Sequence, residues 1–281
     1  MCGIAGEIRF DEKFANSEAV SRITASLAPR GPDGCGIVQQ GRFCFGHRRL
    51  KIIDLSERAA QPMVDSQLGL TIAFNGCIYN YPELRAELEA KGYSFFSHGD
   101  TEVILKAWHA WGAECVQRFH GMFAFVIAER DSGRTVMARD RFGIKPLYYA
   151  GLPGAIRFAS TLPALVRGGE IDTGIDREAL HTYMSFHAVV PPPRTILKGV
   201  RKLPPATMRI YDATGNFTEE RYWNPPHARR IEDKGLTRED WRDRVLDALR
   251  VAVRRRMVAD VPVGVLLSGG VDSSIITGLL A

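Results

Sequence analysis

Apolar and polar positions along the first two thirds of the chain alternate in short runs of the kind that make half-buried β-strands. The pattern predicts strands over Ile4–Phe10, Arg42–Arg48, Leu70–Asn75, Met122–Ala128, Arg134–Arg139, Leu147–Ala150, Ile156–Ala159 and Met208–Tyr211. Between them the apolar spacing changes to that of helices with readable ends. Pro82 suits a first helical turn ahead of Leu84 and Leu88, and Gly92 supplies a stop. Asp100 or Thr101 precedes the segment Val103–Trp111, closed by Gly112, and Asp176 precedes Leu180–Met184. Strands clustered with a few helices at their margins indicate an α+β fold.

The pattern changes after Pro204-Pro205 and again after Asn224-Pro-Pro-His. We expect a first domain over 1–210, a polar linker over 211–235 and a second unit over 236–281. Thr237 with Asp240 three residues on has the form of a capping box, and Trp241, Val245, Leu249 and Val253 recur every four residues behind it. Val261-Pro-Val-Gly-Val-Leu-Leu reads as a buried strand running into Ser268-Gly-Gly-Val-Asp-Ser-Ser. Strand, glycine-rich turn and helix start are the elements of a phosphate site.

Composition changes this picture little. The chain has 281 residues, 45% hydrophobic and 25% charged, enough for one large or two ordinary globular domains. The net charge of +5 is spread among mixed signs, and Arg254, Arg255 and Arg256 read as a solvated helix face, so no nucleic-acid partner is expected. The five cysteines, Cys2, Cys35, Cys44, Cys77 and Cys115, show no metal-ligand spacing, so a reducing compartment and no structural metal are expected. Charges at Glu7, Arg9, Asp11, Glu12 and Lys13 exclude a signal peptide over residues 1–30, and no apolar run is long enough to span a membrane. The expectation is a cytoplasmic protein without a membrane partner.

The candidate chemistry lies at the start, in Met-Cys-Gly-Ile-Ala-Gly. Removal of Met1 would leave Cys2 with a thiol and a free α-amine, a nucleophile and its base on one residue. A free thiol with a pKa of about 8.5 is a few per cent thiolate at neutral pH, whereas an α-amine with a pKa near 8 is partly neutral and able to take the proton. A second-position cysteine can equally be incidental. The other candidates share that ambiguity: Asn75-Gly76 has the form of a hairpin turn, Asp100 of a helix cap, and Ser268-Gly269-Gly270 of a flexible turn.

Seven segments in fixed order narrow the reading: MCGIAG, RGPDGCG at 30–36, GHRRLKIIDLS at 46–56, FNGCIYNY at 74–81, GDTEVIL at 99–105, RDRFGIKPLYY at 139–149 and LLSGGVDSS at 266–274. Together they resemble the glutamine-hydrolysing asparagine synthetase family. The resemblance implies an N-terminal-nucleophile (Ntn) hydrolase fold, a four-layer α-β-β-α sandwich acting as a class II glutamine amidotransferase. The beginning of an α/β PP-loop ATP pyrophosphatase domain follows it. It further implies that Cys2 attacks the glutamine amide, that Asn75 and Gly76 form the oxyanion hole, and that Arg49 holds the substrate carboxylate. The run Leu50, Lys51, Ile52 and Ile53 would line that pocket, and Asp100 would accept from the substrate ammonium.

The resemblance also implies that Leu267, Ser268, Gly269, Gly270, Val271, Asp272, Ser273 and Ser274 cradle ATP, with Mg2+, for adenylation of a carboxylate acceptor. The loop lacks the lysine of a Walker A motif. The glutaminase half-reaction needs no cofactor. One departure stands out: family members commonly carry glutamate where this chain has Cys77, which removes one acceptor for the glutamine ammonium. FNGCIYNY with FHAVVPPPRTIL resembles N-acetylglutaminylglutamine amidotransferases, and the same Cys77 also suits a glutamine-binding module without turnover. A homodimer is left open. The sequence stops seven residues after Ser274, so the acceptor site and most of the ATP site are expected to lie outside it.

Overall fold

In the computed structural model the described residues are 1–228 and 231–280. They divide into two units, Met1–Trp223 and Asn224–Ala281.

The first unit is built on two six-stranded sheets whose pairings are all antiparallel. One has the order β10 (Arg201–Lys202), β8 (Tyr148–Leu152), β9 (Ala155–Ala159), β1 (Gly3–Arg9), β3 (Phe43–Arg49), β2 (Gly34–Gln40). The other runs β12 (Phe217–Arg221), β11 (Thr207–Tyr211), β7 (Thr135–Arg139), β6 (Gly121–Glu129), β5 (Leu70–Ile78), β4 (Met63–Asp65).

Two-residue alternation sorts each strand into two cores. Ile4, Ile8, Phe43, Phe45, Ala73, Ala124, Val126 and Met137 meet between the sheets. On one outer face Ala5 and Cys44 pack against α1 (Ser17–Ser26) and α5 (Leu162–Val166) through Val20, Ile23 and Leu165. On the other, Ile72, Phe74, Phe123 and Phe125 pack under α2 (Tyr81–Ala90), α3 (Asp100–Trp111) and α4 (Cys115–Arg118). Helix, sheet, sheet, helix is the expected four-layer sandwich. α6 (Arg177–Ser185) is capped by Asp176, which accepts from the N–H groups of Glu178 and Ala179.

The same alternation positions the site. Cys2 precedes Ile4 in phase, and His47 and Arg49 continue the inward series of Phe43 and Phe45. Asn75 and Cys77 continue that of Ala73 on β5. Inward-facing polar residues therefore gather at one end of the inter-sheet layer.

Four expectations need correcting. The strand β5 runs through Asn75 and Gly76, which pair with Ala124 and Phe123, so the hairpin turn is excluded. The first unit passes the boundary expected at residue 210, because β11 pairs along its whole length with β12 and leaves no linker there. Asp100 is the first residue of α3, with Gly99 at the cap position and no capping side chain. In the second unit Val261–Leu267 forms no strand, and Leu266 is 96% exposed; a strand needs a ladder partner, and none lies beside it among the described residues.

The rest of the second unit follows the pattern. Thr237 and Asp240 form a reciprocal capping box on α7 (Arg238–Arg256), whose arginine-rich end is exposed. Arg229 and Arg230 of the expected linker lie outside the described residues. The loop at Ser268–Gly270, with φ of +82° at Gly269, leads into α8 (Val271–Leu280).

Candidate active site

A cavity of about 290 Å3 opens at the polar end of the inter-sheet layer. Cys2, Arg49, Leu50, Ile52, Ile53, Asn75, Gly76, Cys77 and Asp100 all line it. Lys51 does not: its ammonium pairs with Glu57 at 2.6 Å and its backbone N–H donates to Asp33, so it faces away.

The Cys2 thiol is fixed by one peptide unit. Leu50 N–H donates to Sγ at 3.3 Å, and the thiol faces the Leu50 carbonyl at 3.6 Å. Burial pushes its pKa up, against the Leu50 N–H and the nearby N-terminal ammonium, so the resting group is a thiol that needs a base. The α-amine of Met1 is shifted down, by burial first and by the cations Lys145 and Arg30. Arg30 donates to the Cys2 carbonyl at 3.1 Å and pins the chain start.

Asn75 is the most telling residue. It is 1% exposed, and neither its amide nitrogen nor its amide oxygen has a hydrogen-bond partner. Buried side-chain polar groups are nearly always satisfied, and exceptions ask for a ligand. Gly76 beside it cannot carry a side chain, because a Cβ would lie 2.3 Å from the Met122 carbonyl oxygen and 2.6 Å from the Phe74 ring. Gly76→Ala is expected to lower stability by about 1–3 kcal/mol through overpacking against backbone, read as a fall in melting temperature.

Residues that sequence reasoning missed hold Asn75 in place. Phe74, just before it, has its carbonyl bonded by His47 Nε2 at 3.1 Å and its N–H accepted by Gln61 Oε1 at 2.7 Å. Burial drives His47 down to about 4, so the ring is neutral and Nε2–H is the donor. Gln61 is anchored in turn to Thr101. His47 could have been found from its inward parity with Phe45, whereas Gln61 lies in a loop and gives no such signal.

Arg49 donates to the carbonyls of Ser56 (2.8 Å) and Asp54, leaving further N–H groups of the same fork for an anion in the cavity. Asp100 lines the same cavity, with Oδ2 accepting from Ile78 N–H at 2.9 Å. Burial raises the Asp100 carboxyl to about 7 despite the N–H groups that face it. Burial likewise pushes Cys77 up to about 12, making it a neutral thiol. One guanidinium, one carboxyl, an orphaned amide and two thiols converge on a space of amino-acid size. No group of acidic, histidine or cysteine residues that could hold a metal occurs among the described residues.

Comparison with known proteins gives this arrangement a relationship. Residues 1–223 match the glutamine amidotransferase domain family, and residues 244–281 match the asparagine synthase family. Asparagine synthetase [glutamine-hydrolyzing] 1 of Bacillus subtilis is 39% identical over 99% of this chain and 44% of its own length. A putative asparagine synthetase [glutamine-hydrolyzing] 2 of Methanocaldococcus jannaschii is 34% identical over the whole chain and 57% of its own length. The chain thus spans about half the length of the curated relatives it matches. Among solved structures, the glutamine phosphoribosylpyrophosphate amidotransferase of B. subtilis superposes with a TM-score of 0.57 at 20% identity, over 79% of this chain and 49% of that one. That likeness establishes the fold. The chain belongs to the glutamine amidotransferase family, in the branch where this domain is followed by the start of an asparagine synthase domain.

Proposed function

We propose that the first unit hydrolyses glutamine to glutamate and ammonia at Cys2, and that the whole protein passes the ammonia to an ATP-activated carboxylate. The observation that carries this reading is the orphaned Asn75 amide beside the Cys2 thiol.

With Met1 removed, the Cys2 amine takes the thiol proton and the thiolate attacks the substrate amide carbon. The tetrahedral oxyanion is met by the Asn75 amide nitrogen, a donor already in place and without a partner, and by the Gly76 N–H. Proton return to the departing nitrogen releases ammonia and leaves a thioester, which water hydrolyses to glutamate. Arg49 holds the α-carboxylate and Asp100 the α-ammonium.

In the second unit, Ser268–Ser274 suits a phosphate chain: the loop is exposed, Gly269 adopts a left-handed φ, and α8 begins within it. There ATP with Mg2+ would supply activation of the acceptor carboxylate as an acyl-adenylate. The hydroxyls of Ser273 and Ser274 rest on the Gly270 carbonyl and would turn to the phosphates. The named relatives favour aspartate as acceptor. Glutamine-dependent ammonia release by the purified chain, without ATP, tests the first step; glutamine binding without ammonia release would favour a binding module.

Asp100 makes that binding pH-dependent. Its carboxyl titrates near 7 and only the ionised form pairs with an ammonium, so affinity should be full above that pH and fall as pH drops through it. Below pH 7 the glutamine Kd is expected to rise about tenfold per pH unit. Calorimetry on Cys2→Ala, where no turnover interferes, reads this directly, and a flat Kd between pH 5 and 8 would contradict it.

A further inference from the structure

The cavity contains a cation for which the scheme above has no role. Lys145 lies in the loop between β7 and β8, is 3% exposed, and lines the same space as Cys2 and Cys77. Among the described residues its ammonium has no carboxylate within ion-pair distance and its side chain makes no hydrogen bond.

The loop is constructed to hold it there. The Asp140 carboxylate accepts from the N–H groups of Phe123, Phe142, Ile144 and Lys145 at 2.9–3.1 Å. The Arg139 guanidinium donates to the carbonyls of Lys145, Gly143 and Leu203 at 2.6–2.7 Å. Asp140 thus spends its oxygens on backbone amides. Burial lowers the Lys145 pKa from the ordinary lysine value, with Arg30 adding to the effect, while Cys2, Cys77 and Asp140 favour the ammonium. A buried charge left without a partner is strongly unfavourable, and sites of function are where such groups are kept.

The groups that face Lys145 decide which charge that is. They are the thiols of Cys2 and Cys77, the carboxylate of Asp140, the guanidinium of Arg30 and the terminal amine of Met1, with Asp100 in the same cavity. Arg30 and the amine are cations or neutral, Asp140 is satisfied, and the buried Cys77 thiol stays protonated through the physiological range. Asp100 is assigned to the substrate ammonium. Cys2 remains.

We propose that Lys145 is the fixed cation that holds the Cys2 thiolate, by attraction across the cavity and without exchanging a proton. The proposal rests on Cys2 being the nucleophile. The sign is the same for both halves of the catalytic residue: a nearby cation favours the thiolate over the thiol and the neutral amine over the ammonium.

The test compares the chain, freed of Met1, with K145M and K145R. Iodoacetamide alkylation of Cys2 is followed against pH by peptide mass, beside glutaminase kcat and KM. K145M should move the alkylation midpoint up by about one pH unit, slow alkylation about tenfold at pH 7 and lower kcat about tenfold, with KM changed less than about threefold. K145R should stay within about threefold of the unsubstituted chain. Because K145M removes an uncompensated buried charge, its melting temperature should be equal or higher. Superimposable alkylation profiles, a raised KM with unchanged kcat, or a clearly lowered melting temperature in K145M would each overturn the proposal. Alkylation needs no turnover, so absence of ammonia release from the unsubstituted chain would contradict the proposed function while the alkylation comparison still decides the role of Lys145.

Discussion

Replacing Cys2 with alanine is expected to abolish ammonia release from glutamine, a loss of at least about 10^3-fold, while glutamine still binds. The thiol is the one group in the cavity able to form a covalent intermediate. The other cavity thiol, Cys77, is held protonated by burial and lies two residues past Asn75 on the same strand. Alanine removes the nucleophile without touching Arg49 or Asp100, so the variant should retain substrate affinity within about threefold, measured by calorimetry beside an ammonia assay. Residual turnover above about one per cent would mean that water attacks the amide directly and that the covalent scheme is wrong.

The second large effect is expected at Asn75. Asn75→Ala should lower kcat by about 10^2–10^3 with little change in KM, because an oxyanion donor acts on the charge that develops in the transition state. The stability change should run the other way. In the free protein both polar atoms of this side chain are buried and unsatisfied, so deleting them relieves a desolvation penalty of about 1–3 kcal/mol, offset in part by the small cavity left behind. A variant that loses activity while its melting temperature holds or rises identifies a residue kept for chemistry. A parallel loss of both would assign Asn75 to the fold.

Asn75 is one of a group. Among the described residues, the buried side-chain nitrogen and oxygen atoms without hydrogen-bond partners belong to Arg30, His47 and Asn75. Arg30 pins the Cys2 carbonyl, His47 fixes the peptide before Asn75, and Lys145 stands unpaired in the cavity itself. Unsatisfied polar groups are thus gathered at the cavity, as Asn75 and Lys145, and just behind it, as Arg30 and His47, whereas buried charges elsewhere are matched, as in Glu7 with Arg157 and Asp65 with Lys106.

Much of this was legible in the residues. The period-2 runs located eight strands within a few positions, since a two-sided core enforces inward and outward alternation strictly. The strands β2, β4, β10 and β12 escaped because they are edge or near-edge elements: Gly34–Gln40 carries glycine and glutamine where a central strand carries apolar bulk, and Phe217–Arg221 is exposed throughout. Asn75-Gly76 has the strongest short-range turn signal, yet it lies mid-strand, because its pairing with Ala124 and Phe123 of β6 overrides local preference. Val261–Leu267 failed in the opposite sense: its apolar content is that of a buried parallel strand, but pattern alone cannot supply neighbours.

At the site, Cys2, Arg49, Asn75 and Asp100 were found through ordered motifs. Lys145 was within one of them, RDRFGIKPLYY, but a lysine in a loop reads as solvent-facing until the hydrogen bonds of Arg139 and Asp140 are seen to fold that loop inward. Lys51 erred the other way: adjacent to Leu50 and Ile52 in sequence, it turns away from the cavity to pair with Glu57.

The central claim, that Cys2 is a nucleophile activated by its own amine, is tested most directly by intact mass and peptide mapping after treatment with an electrophilic glutamine analogue. The account predicts a single adduct, on Cys2, and only in chains that have lost Met1. An adduct on Cys77 or Cys35, equal labelling with Met1 retained, or no adduct at all would contradict it.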